Sequence, residues 1–159
     1  MGKIVAAAAI LLVTVVGRAE ERCPWLNAAT AGGVLGGDVK AQVTRANPNS
    51  EDAGCIFELR RDGSFSRLTI DVTTMRAPRT EFAGWLAKCG SGATHLNAIG
   101  NDAVACGGAD QAARWERVVG RVRDRAFVIE MKTNERSVAS DALREKVRGV
   151  SEQVAGILF

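Results

Sequence analysis

Few residues of this chain can carry acid–base or nucleophilic chemistry. Its 159 residues include one histidine and no tyrosine, so His95 is the only imidazole base. His95 stands in Gly90-Ser-Gly-Ala-Thr-His-Leu-Asn, a loop by composition. A nucleophile–base–orienter set would have to draw on Ser91, His95 and Asp102. The Gly-x-Ser-x-Gly turn that presents a nucleophilic serine is absent. A solvent-facing loop histidine is therefore the simpler expectation. Gly90-Ser-Gly follows a helical pattern instead of leading from a strand into a helix, so it does not read as a phosphate loop. Asp71, Glu81, Asp102, Glu116 and Glu130 are scattered over different elements, and spacing alone pairs none of them. No metal or cofactor site is expected.

Arginine gives a second candidate. Arg60-Arg61-Asp62 and Arg121-Val-Arg-Asp-Arg125 both fall at expected hairpin tips. Side by side, Arg60, Arg61, Arg121, Arg123 and Arg125 would form a guanidinium cluster able to grip carboxylate or phosphate groups in bidentate fashion. The alternative is an ordinary solvated turn whose aspartates partly neutralise the arginines. Of the three tryptophans, Trp85 lies on a buried stripe, whereas Trp25 and Trp115 suit either core or exposed anchor positions.

The four cysteines, Cys23, Cys55, Cys89 and Cys106, are separated by 32, 34 and 17 residues. Zinc sites bring ligands in close pairs, and a thiol–disulfide enzyme shows Cys-x-x-Cys. Neither pattern occurs. An even count in an exported chain reads as two disulfides, with three possible pairings. Cys23–Cys55 with Cys89–Cys106 is favoured, because each bond then staples neighbouring elements.

Export is expected from the first nineteen residues. Lys3 precedes an uncharged run from Ile4 to Val16, and Gly17-Arg18-Ala19 offers small residues for cleavage after Ala19. The run is too short for a transmembrane helix. Residues 20–159 would then form a single exported domain, periplasmic or extracellular. Its composition, 47% apolar and 25% charged over the whole chain, is that of a globular protein. Taking Lys3 and Arg18 from the 21 basic residues leaves 19 against 18 acidic ones, a net +1. So small a charge gives no field to steer the domain onto nucleic acid.

The elements follow from periodicity. Asn27 caps a short helix that ends at Gly36-Gly37, and Asp38 to Thr44 is a first strand. Residues 46–54 are a loop. Cys55 to Arg60 and Arg67 to Thr73 alternate around Asp62-Gly63, a hairpin signal. Pro78 opens a helix with Phe82, Trp85, Leu86 and Cys89 on one stripe. Ala103 to Cys106 is a short apolar run, followed by a Gly-rich turn. Trp115–Val122 and Ala126–Thr133 form a second hairpin. Ser137 or Ser140 caps a final helix with a stripe of Leu143, Val147, Val150, Val154 and Ile157 or Leu158. Hairpin-linked strands with separate helices imply an α+β sandwich on an antiparallel sheet. The two middle blocks repeat one layout: helix, short strand, hairpin.

Cys23-Pro-Trp-Leu, Cys55-Ile-Phe-Glu-Leu, Ile99-Gly-Asn-Asp-Ala and Val147-Arg-Gly-Val-Ser-Glu-Gln-Val-Ala resemble segments of small exported bacterial domains of unknown function, some of them actinobacterial lipoproteins. The resemblance implies an α+β sandwich and supports the first disulfide. It transfers no catalytic residues. Glu21-Arg22 before Cys23 departs from the lipoprotein members, which carry a lipobox.

The functional expectation is a non-enzymatic domain that binds a protein, an envelope component or a small ligand through its sheet or hairpin tips. The alternative is a small hydrolase-like enzyme built around His95 and Asp102.

Overall fold

The computed structural model describes residues 22–46 and 52–159. The expected export signal and part of the 46–54 loop lie outside them. Asn27 opens the first helix as its side chain predicts: Oδ1 accepts the Thr30 N–H at 2.8 Å, satisfying one of the unpaired donors of the first turn. This helix, Ala28–Leu35 (α1), stops at Gly36, whose φ of 91° is left-handed. Strands Lys40–Ala46 (β1), Ala53–Arg61 (β2) and Ser64–Thr74 (β3) follow. Helix Pro78–Leu86 (α2) runs into a 3-10 segment, Ala87–Gly92, broken at Gly90. Then come Thr94–His95 (β4), Asp102–Ala109 (β5), Arg114–Val122 (β6), Arg125–Thr133 (β7) and helix Ser140–Leu158 (α3).

The seven strands form one antiparallel sheet in the order β1-β2-β3-β7-β6-β5-β4. The fold is mixed α+β. The repeated layout in the sequence has a spatial counterpart. Two meanders, β1-β2-β3 and β5-β6-β7, meet through their last strands, β3 and β7. The helices break this symmetry by covering opposite faces.

The first face carries Cys55, Phe57, Leu59, Leu68, Ile70, Val72, Phe127, Ile129 and Val118, buried with α1 and α3. The stripe of α3 is Leu143, Val147, Val150, Val154 and Leu158, while Ile157 is 50% exposed. Neither expected serine caps this helix. Ala139 occupies the N-cap without a side-chain bond; Ser137 Oγ donates instead to Glu135 Oε1 at 2.8 Å. On the second face, Val104, Val119 and Ala126 pack beneath Phe82 of α2, with Trp85, Leu86 and Cys89 at the margin. Elsewhere that face carries ion pairs, Glu58 with Arg67 and Glu130 with Arg117.

Both favoured disulfides are present. Cys23–Cys55 ties the segment before α1 to β2, and Cys89–Cys106 ties the 3-10 segment to β5. Among the described residues no helix is long and apolar enough to cross a membrane.

Candidate functional site

The five hairpin-tip arginines do not converge. Ser66 pairs with Thr133 at one end of the β3–β7 ladder and Thr74 with Arg125 at the other. The β2–β3 tip and the β6–β7 tip therefore lie at opposite ends of the sheet, about 30 Å apart at the rise of an antiparallel strand. Arg60 pairs with Glu58 at 2.5 Å, and Arg61 donates to the Gly36 carbonyl at the end of α1. At the far tip, the Arg121 guanidinium lies 5.6 Å from the Phe82 ring. The Arg123 N–H donates to Asn101 Oδ1 at 2.6 Å.

His95 and Asp102 are neighbours without a hydrogen bond between them. Nδ1 is 3.9 Å from Oδ1, and the two side chains are 78% and 37% exposed. That separation exceeds a hydrogen bond. Ser91 is exposed in the 3-10 segment.

The feature with the most structure behind it is the β5 edge. A sheet has two edges, and each offers unpaired backbone groups to any passing strand. On β1 that hazard is managed by a bulge between Val43 and Arg45 and by the exposed Lys40. On β5 the cover is β4, which is only two residues long and reaches Val104 and Ala105. Upstream of Thr94 the chain stops pairing and enters the 3-10 segment, which Cys89 ties to Cys106.

Which backbone groups remain bare follows from alternation. The Leu96 N–H donates to the Ala103 carbonyl, and the Asp110 N–H to the Ala113 carbonyl, each at 2.9 Å. Hydrogen-bonding residues alternate along an antiparallel strand. Ala103, Ala105, Gly107 and Ala109 therefore direct their N–H and C=O groups away from β6, and Cys106 and Gly108 towards it. Beyond Gly107 and Ala109 no strand follows among the described residues. Gly107, Gly108 and Ala109 are all exposed and carry no side chain larger than a methyl group.

A groove of about 540 Å³ runs beside this edge, under the first turns of α3. Thr94, Leu96, Gly107, Arg114, Glu116 and Arg144 are among its walls. Cross-strand register sets the floor. Glu116 stands opposite Gly107, and Arg114 opposite Ala109. Glu116 is only 6% exposed, and its carboxylate leans over the bare Gly107 Cα. Its partner is Arg144, with Nη2 3.5 Å from Oε1. Arg144 also reaches Asp141 at 3.3 Å. Arg114 is half-buried and donates Nη1 to the Val138 carbonyl at 2.5 Å. No described carboxylate forms an ion pair with it.

The other large hollow, about 720 Å³, lies by β1 and the first disulfide, with Leu26, Val39 and Phe57 in its walls. It borders β1, the sheet's other edge, where the bulge and Lys40 interrupt the run of unpaired backbone.

The sequence reading missed this edge. It took the glycines after Cys106 for a turn, whereas Gly107 and Gly108 belong to β5. The turn comes later, where Asp110 Oδ1 accepts the N–H groups of Ala112 and Ala113, each at 2.8 Å. A glycine pair between an apolar run and another strand is itself a signal of close backbone approach. The Glu116–Arg144 pair joins a strand to a helix, and spacing carries no trace of it.

No protein-family model matches the chain, and no curated protein or solved structure matches it either.

Proposed function

We propose that this chain is an exported, disulfide-stabilised binding domain, without catalytic machinery, that takes an extended protein segment as an added strand on β5. The bare backbone of Gly107 and Ala109 supports this reading most directly. Strand addition draws its affinity from main-chain hydrogen bonds and its selectivity from pockets for alternate side chains. Here both lie together: two outward-facing residues on the edge, and the groove beside them. Export is supported by the signal-like first nineteen residues and by the two disulfides, which persist in oxidising compartments. The hydrolase alternative gains nothing from an exposed His95 held 3.9 Å from Asp102.

The test is selection of displayed random heptapeptides on the oxidised protein, followed by amide hydrogen exchange on the complex. Slowed exchange at Gly107 and Ala109 is expected, with Ala109→Pro weakening binding by removing one N–H. Protection confined to other strands, or no peptide recovered, overturns the proposal.

A further inference from the structure

The rows of side chains across the first face of the sheet give the added strand a register. Along β4, β5 and β6 one row is Thr94, Ala105 and Val118. The next two rows lack an outer member: an empty place beside Gly107 and Glu116, then one beside Ala109 and Arg114. A strand continuing the line of β4 would fill both places. The side chain beside Ala109 would look across a single methyl group towards the Arg114 guanidinium, two strand spacings or about 10 Å away. An acidic side chain reaching in and an arginine reaching out span that distance.

Charge decides what fills the place. Glu116 and Arg144 already compensate one another. Arg144 is shared between Glu116 and Asp141, whereas Arg114 has a carbonyl acceptor but no ion-paired carboxylate among the described residues, so it is the groove cation left without an anionic partner. A guanidinium with spare donors favours a carboxylate, which accepts charge-assisted bonds of about twice the neutral strength. The size of the bare edge argues against a second copy of the chain as the occupant. On β5 only the stretch 107–109 is uncovered, far less than the roughly 1,000 Å² or more that a stable dimer interface buries.

We infer that the β5 edge selects an extended peptide with an aspartate or glutamate side chain beside Ala109, read by Arg114. This rests on the strand-addition reading. Arg114 is the selectivity residue; the edge backbone supplies the sequence-independent part of the affinity.

The probe is an acetylated, amidated heptapeptide of alternating threonine and valine, with glutamate, glutamine or lysine at its centre. Blocked ends remove the terminal carboxylate as a source of the effect. Binding is read by fluorescence anisotropy on the oxidised protein. Glutamate is expected to bind about tenfold more tightly than glutamine, and lysine least, in keeping with a charge-assisted contact. Arg114→Gln should erase the difference between glutamate and glutamine while weak binding of all three remains. Arg114→Glu should invert the order and favour lysine, a gain that no unfolded variant can show. Equal binding of the three peptides to the unaltered protein, with Gly107 and Ala109 still protected from exchange, overturns the acidic reading and leaves strand addition standing. Binding of none of the three, with no protection of those amides by any selected peptide, overturns both.

Discussion

The carboxylate of Glu116 occupies the space that a side chain on Gly107 would need. A Cβ built on Gly107 would lie 2.4 Å from Glu116 Oε2. Glu116 cannot easily withdraw, because it is buried, flanked across the ladder by Met131 and held by Arg144. Gly107→Ala should therefore cost about 1–3 kcal/mol, the usual range for forcing extra volume into a packed site. In a Glu116→Ala background the same change should be close to neutral. Urea denaturation of the two single variants and the double variant measures the coupling. Costs that add within about 0.5 kcal/mol would mean that the two residues do not compete for this space.

Acid should weaken the fold through two carboxylates. Hydrogen bonds from Arg67, then Arg60, hold the Glu58 carboxyl below its ordinary value of 4.5. The N–H groups of Ala113, then Ala112, do the same for Asp110, ordinarily 3.8. A pKa lowered on folding means that the unfolded chain binds the proton more readily. The stabilisation is therefore full above the ordinary values and is lost as pH falls through them towards the lowered ones. Glu58→Gln should lower the urea midpoint at pH 7, and the gap from the unaltered protein should narrow by pH 3. A gap independent of pH would remove Glu58 from the acid response.

The hairpin register and the final helix were legible because each rests on a local rule. Asp62 and Gly63 take φ of 42° and 81°, conformations that aspartate and glycine adopt more readily than most residues. The alternation on either side then decides which side chains face inward. The disulfide pairing was legible for a related reason, since both bonds join elements close in sequence. The arginine cluster failed on a point that no local pattern encodes. β3 pairs with β7, and this one choice sends the two hairpin tips to opposite ends of the sheet. The docking edge was hidden in the same way. Gly107 and Gly108 read as a turn until β6 is placed beside them, and the bareness of Ala109 depends on how short β4 is.

The last prediction tests whether α3 holds the first face closed. Val150 is 2% exposed on the stripe that packs against the sheet, with Val147 and Val154 a turn away on either side. Arg148 points outward and pairs with Glu152 at 3.0 Å, an exposed i, i+4 contact. Gly149 and Gly156 sit inside this helix, each costing about 1 kcal/mol relative to alanine in a helix interior. Packing must therefore supply what intrinsic propensity does not. Val150→Asp would bury a carboxylate among Leu143, Val147 and Val154 with no cation on that stripe, a loss of about 3 kcal/mol or more. Arg148→Ala should stay within about 0.5 kcal/mol, since exposed pairs of this kind contribute only that much. Both variants can be followed by circular dichroism in urea. The groove beside β5 is roofed by the first turns of α3, so the Val150 variant should also lose peptide binding while the Arg148 variant retains it. Equal midpoints for the two would show that the stripe does not dock on the sheet.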